Sequence, residues 1–200
     1  MISENIDMIV MGSNGVSGVE ELFVGTNAQK FVQMAECPVL VIKSETKLAD
    51  IKSLVFASDF NKEVIPRFEV IQKLANSIGA KIHYLKVMTP QDYSIEKESL
   101  ANIDFFVEKT GVNASDVKLY QSVSVERGII KYCKEINASM IAIETHGRKG
   151  LGHLLNYNIA EGLANHSTIP LFSVKIEQDT TGLADAVTGF LSKKNLIAKA

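Results

Sequence analysis

The chain has few of the residues that staple a fold, bind metals or anchor a protein. Only two cysteines occur, Cys37 and Cys133, far apart and outside any CxxC pattern. That excludes a disulfide scaffold, fits a reducing compartment and casts both thiols as small core residues. The four histidines (His83, His146, His153 and His166) show no HxxxH or HExxH spacing, so no metal centre is expected. With 21 basic against 23 acidic residues the formal charge is −2, and no basic stripe is present. Nucleic acid is therefore not the expected partner. The apolar runs are strand-sized, well short of the roughly 20 residues of a membrane span. The opening "MISENIDMIV" lacks the basic start and apolar core of a secretory signal. A cytoplasmic protein with no membrane partner is expected.

Nucleophile signatures are missing as well. There is no G-x-S-x-G elbow, and Ser58, Asp59 and His146 read as isolated polar residues. A single aspartate is weak ground for a metal-bound nucleotide. The sequence predicts a protein that is not an enzyme.

What is present is a 200-residue chain, 46% hydrophobic, able to bury a core in one or two domains. Strand-like runs stand at "MIVMG" (8–12), "PVLVIK" (38–43), "SLVFASD" (53–59), "KIHYLKV" (81–87), "VKLYQS" (117–122), "SMIAIET" (139–145) and "PLFSVK" (170–175). Most are continuously apolar, as strands covered on both faces are. Helical periodicity fills the gaps at 63–78, 95–109 and 125–136, and again after each glycine-rich loop. The alternation predicts an α/β fold with a doubly wound parallel sheet.

Residues 7–43 fall without a gap on 139–175 at an offset of 132. Eight of the 37 positions are identical: Met8/Met140, Ile9/Ile141, Gly15/Gly147, Gly18/Gly150, Leu22/Leu154, Ala28/Ala160, Pro38/Pro170 and Lys43/Lys175. The matches cover the strand, the loop glycines, the helix face and the closing strand, so a repeat is expected. Residues 1–43 then read as the C-terminal portion of a first unit, a β-α-β half, and 44–50 ("SETKLAD") as a linker. Residues 51–175 read as a complete second unit. The tail 176–200 carries a helix, with Leu183, Ala186, Val187, Phe190 and Leu191 on one face. The expected beginning of the first unit would lie before Met1, in a longer tandem protein or across a shortened gene start.

The first loop places Gly12-x-x-Gly15 directly after a strand and Gly25-Thr26 nine residues on. Glycine lets backbone approach an anion closely, and the free N–H groups and dipole of a following helix favour phosphate. The spacing matches neither the Walker A loop nor G-x-G-x-x-G. A tight strand-to-helix turn is the plain alternative.

Taken with the aspartate-led strand "DMIVMGSNG" and the closing "CPVLVIK", this loop resembles the universal stress protein family. "SLVFASDF" and "INASMIAIETHGRKG" resemble the family's first strand and the strand before its phosphate loop. The likeness covers about residues 5–43 and 51–175. It implies an adenine nucleotide alpha hydrolase-like sheet of five strands in the order 3-2-1-4-5, with the fifth strand pairing between units or subunits. No SGGxDS-type loop of the related adenylating enzymes is present. Many members of the family bind ATP or AMP, with Mg among the cofactors to expect, and others bind no nucleotide. By the resemblance, Gly12, Gly15, Gly25 and Thr26 match phosphate-binding positions, and Ser13 and Asn14 line the same turn. Asp59 matches an aspartate near ribose and adenine, Val87 a position whose backbone meets adenine, and Gly147 one surviving loop glycine of the second unit.

The second unit departs from that pattern. Glu144 stands at the slot of Gly12, Tyr157 at that of Gly25 and Asn158 at that of Thr26. A carboxylate where phosphate should pack repels it, more strongly in a low-dielectric cleft than in water, and a tyrosine blocks close approach. The second unit is expected to be empty of triphosphate. The expected function is that of a non-enzymatic stress-response factor that uses the first-unit glycine loop for adenine nucleotide. A slow ATPase or phosphotransferase and a ligand-free assembly scaffold are the alternatives. A homo-oligomer, or the missing first-unit half bound at a sheet edge, is the expected partner.

Overall fold

The computed structural model describes residues 6, 8–12, 32, 35, 37–43, 46–145 and 153–175. Seven strands form one sheet: β1 (Ile9–Gly12), β2 (Val39–Ile42), β3 (Ser53–Ala57), β4 (Lys81–Met88), β5 (Val117–Gln121), β6 (Met140–Thr145) and β7 (Leu171–Lys175). Their order is β1-β2-β7-β6-β3-β4-β5, and every pairing is parallel except β2 with β7. From β5 to β7 the strands follow the expected 3-2-1-4-5 order. Four helices are described: α1 (Ile65–Ile78), α2 (Glu96–Thr110), α3 (Val125–Glu135) and α4 (His153–His166). None of them is long and apolar enough to cross a membrane.

Local chemistry sets the helix ends. Pro66 sits in the first turn of α1, where its missing N–H costs nothing. Gly79 and Gly111 end α1 and α2 at φ of 67° and 72°, left-handed values that glycine adopts without a Cβ penalty. Ser124 caps α3 by accepting from the Arg127 N–H.

The sheet is covered on both faces, which is why its strands read as unbroken apolar runs. Leu54, Phe56, Met140, Ala142 and Phe172 pack with α1 and α2, including Phe68, Leu74 and Phe106. On the other face Val55, Leu85, Ile141 and Leu171 pack with α3 and α4 through Ile129, Cys133, Ala160 and Leu163. Burial pushes the Cys133 thiol up to about 12, so it behaves as a small apolar residue. Cys37, expected in the core, is only half-buried.

The ladder between β1 and β2 runs from Ile9↔Val39 to Gly12↔Ile42, and that between β6 and β7 pairs Ile141↔Leu171 through Glu144↔Val174. Each pair of the first ladder lies 132 positions from its counterpart in the second. The entry bonds correspond too: Ile9 N–H donates to Pro38 O and Ile141 N–H to Pro170 O, both at 2.9 Å. β2 and β7 meet around Leu40↔Phe172, flanked by Val39↔Ser173 and Val41↔Leu171. Leu40 and Phe172 are themselves counterparts at the same offset. Beyond the seam, the Lys43 ammonium donates to Ala164 O near the end of α4 at 2.6 Å, and desolvation lowers its pKa to about 8.

Helix α3 lies very close to β4 at Gly128. A Cβ there would stand 2.6 Å from Val87 Cγ1 and 3.0 Å from Ser122 Cβ. At an exposed helical site Gly→Ala gains about 1 kcal/mol, whereas overpacking costs about 1–3 kcal/mol. Gly128→Ala is therefore expected to lower stability in urea unfolding. A stabilised variant would show that α3 can lift off β4 freely.

Candidate functional site

The carboxyl ends of β3, β4 and β6 open into a cleft of about 650 Å³, within the size range of small-molecule sites. It lies where strand order reverses between β3 and its two neighbours, the usual ligand crevice of an open α/β sheet. Ala57, Leu85, Val87, Ile129 and Ile143 give it an apolar floor, while Ser58, Asp59, Lys86 and Glu144 supply polar groups.

A tight turn after β3 arranges these polar groups. Ser58 Oγ accepts from the Phe60 N–H at 2.8 Å, and Asp59 Oδ1 and Oδ2 accept from the Asn61 N–H and Nδ2, each at 3.2 Å. The turn forces Phe60 to φ 57°, which is costly for an aromatic residue. Its fully buried ring lies 4.8 Å from that of Phe106 and offsets the cost.

Ser58 Oγ also donates to Glu144 Oε1 at 2.5 Å. Glu144 is 9% exposed, and its Oε2 is sealed with no hydrogen-bond partner. Burial, and then the Asp59 charge, push the Glu144 carboxyl up to about 8 against the pull of Ser58 and Lys86. Ser58, which read as isolated in the sequence, is thus half of a serine–glutamate pair 86 positions apart. No sequence signal marks that pair except the carboxylate at the glycine slot.

The expected site residues divide into groups. Asp59 and Val87 line the cleft together, as the resemblance implies, though both oxygens of Asp59 hold the Asn61 turn. Gly12 ends β1, three places along the sheet from β6, and does not line the cleft. A Cβ on Gly12 would meet no described atom within 4 Å, and its φ is not positive. Ser13, Asn14, Gly15, Gly25, Thr26 and Gly147 lie outside the described residues, as do His146 and the tail helix. Tyr157 and Asn158 fall in α4.

The described residues of the cleft do not fit a triphosphate. A buried carboxyl occupies the strand end, and among the described residues Lys86 is the only lysine or arginine lining the cleft, against five carboxyl residues. Among the described residues, no group of three or more His, Cys, Asp or Glu could hold a metal ion.

The comparisons agree with this architecture. The family model described as "Universal stress protein family" matches residues 2–43 and 51–175. A universal stress protein of Thermus aquaticus is 48% identical over 42 residues, 21% of this chain and 31% of that protein. One from Methanocaldococcus jannaschii is 44% identical over 41 residues, 20% of this chain and 24% of that protein. The matched stretch thus spans about a third or less of either relative. Among solved structures, a universal stress protein from Archaeoglobus fulgidus superposes with a TM-score of 0.64 at 22% identity, covering 87% of this chain and 64% of that one. A functionally unknown protein from Pseudomonas aeruginosa PAO1 gives 0.66 at 18% identity, covering 94% and 68%. At those identities the structures speak for the fold alone. With the family model matching most of its length, the chain belongs to the universal stress protein family.

Proposed function

We propose that this chain is a stress-response factor of the cytoplasm that acts by binding and assembly, without catalysis. Residues 1–43 are the closing portion of a first unit, 44–50 a linker, 51–175 a complete second unit, and 176–200 a tail bearing a helix. The equal offset of the two parallel ladders and the self-symmetric seam at Leu40 and Phe172 support that division.

Adenine nucleotide, ATP or AMP with or without Mg, is taken through the first-unit loop at Gly12, Ser13, Asn14, Gly15, Gly25 and Thr26. One observation carries this assignment: Glu144, at the position matching Gly12, holds a buried carboxyl where the second unit would need a phosphate contact. Among the described residues no atom would crowd a Cβ on Gly12, and its φ is not positive, so neither explains a glycine there.

Thermal shift with ATP and AMP, with and without magnesium, tests the assignment, since a ligand of the folded state raises the melting temperature by mass action. A saturable rise is expected that Gly15→Val abolishes and Glu144→Gln leaves in place. A flat response at millimolar nucleotide sinks the reading. So does a response that depends on Glu144 and ignores Gly15.

A further inference from the structure

The described lining of the cleft over β3, β4 and β6 is richer in carboxyl groups than in cations, which suits an organic cation better than phosphate. Among the described residues its lining includes Asp59, Asp92, Glu98, Glu126 and Glu144, against Lys86 alone. Three of the five carboxyl groups have structural partners. Asp92 Oδ2 accepts from the Thr89 N–H and hydroxyl, each at 2.6 Å. Glu126 Oε1 meets His166 Nδ1 at 2.6 Å, and Asp59 holds Asn61.

Glu144 is different. It is more than nine-tenths buried, only one of its oxygens is engaged, and Oε2 has no partner. A buried polar group left unpaired costs about 1–3 kcal/mol, whether donor or acceptor. The fold keeps that cost at the polar end of a cleft whose other walls are Ala57, Val87, Ile129 and Ile143.

We propose that this cleft binds a small organic cation, an ammonium or guanidinium group on an apolar body, with an N–H donating to Glu144 Oε2. Asp59 supplies a second negative charge nearby, and the apolar floor holds the body. Charge-assisted bonds of this kind are about twice as strong as neutral ones.

Binding is coupled to a proton. In the ligand-free protein burial and Asp59 keep the Glu144 carboxyl protonated near neutrality. Because Ser58 donates to Oε1, that proton resides on Oε2. An arriving ammonium takes its place: the carboxylic acid becomes a carboxylate paired with the cation, and one proton leaves to solvent. Among the described residues the other charged groups facing the cleft are Asp59 from the turn after β3, Lys86 from β4, Asp92 from the turn before α2, Glu98 from α2, and Glu126 from α3 with its His166 partner from α4.

The site is separate from the first-unit loop, so its failure and that of the nucleotide reading register with different probes and variants. The test is calorimetric titration of the full chain with benzylamine and agmatine, with benzyl alcohol as the uncharged comparison. Buffers of differing ionisation enthalpy count the protons released. At least one amine is expected to saturate, releasing close to one proton near pH 7 and progressively less above about pH 8. Benzyl alcohol should bind about tenfold more weakly or less, a difference of about 1.4 kcal/mol.

Glu144→Gln retains an oxygen for Ser58, so it is expected to fold while abolishing the proton release and weakening the amine about tenfold. Asp59→Asn should weaken the amine and, by removing the charge that helps raise the Glu144 carboxyl, move the proton release to lower pH; this variant with the alcohol comparison decides the matter if Glu144→Gln does not fold. The proposal is overturned if neither amine saturates at concentrations on the order of 10 mM. It is equally overturned if amine and alcohol bind alike, or if proton release survives Glu144→Gln.

Discussion

Truncating Phe106 to alanine is expected to lower unfolding free energy by about 3–5 kcal/mol, as large-to-small changes at buried aromatic sites do. The side chain is fully buried on α2. Its ring centroid lies 4.8 Å from that of Phe60, 5.0 Å from Phe68, 6.0 Å from Tyr84 and 6.4 Å from Phe56. One ring thus ties α2 to α1, to β3 and β4, and to the left-handed turn at Phe60. Removing it leaves a cavity that none of these elements can close alone, in a domain whose whole margin is typically about 5–15 kcal/mol. Urea unfolding measures the loss, and Phe106→Leu should recover much of it. A loss under about 1 kcal/mol would mean that the cluster collapses readily onto the space.

The second large effect is a dependence of stability on pH that traces to Glu144. Its folded carboxyl is raised from the ordinary 4.5 to about 8. Below the ordinary value both states hold the proton and nothing is lost. Between about 4.5 and 8 the unfolded chain releases the proton while the folded one keeps it, so stability falls as pH rises. Above about 8 the curve levels, lower by on the order of 5 kcal/mol for a displacement of that size.

The groups that set this response are Asp59, which raises the value, and Ser58 and Lys86, which lower it. Glu144→Gln, which cannot ionise, should flatten the decline and be the more stable form in alkali. Unfolding curves at roughly pH 5, 7 and 9 for both proteins check this. Parallel pH profiles in the two would show that the carboxyl ionises without cost.

Much of the fold was legible in the sequence. All seven apolar runs are strands, because a sheet covered on both faces needs unbroken hydrophobic stretches. The ends moved where turn chemistry won. The run 53–59 stops as a strand at Ala57, since Ser58 and Asp59 turn their side chains back on the Phe60 and Asn61 N–H groups. The helix expected from 63 begins at Ile65, after a short 3-10 turn capped by Asn61. Thr89-Pro90-Gln91-Asp92 forms a capping box that its spacing could have announced.

The site was harder to read. That Glu144 stood in a glycine's place was visible in the sequence. That its carboxyl is buried, bonded to Ser58 and half unsatisfied was not, because periodicity along one strand says nothing about a neighbour 86 residues away.

The reversal of strand direction between β2 and β7 has a further consequence. Since β1 runs with β2, and β6 with β7, the chain leaves Gly12 and Glu144 at opposite rims of one continuous sheet. The described links between the two halves are the hydrogen-bonded junction at Leu40 and Phe172 and the Lys43 bond to Ala164 O, so loosening them should make the two rims respond more independently.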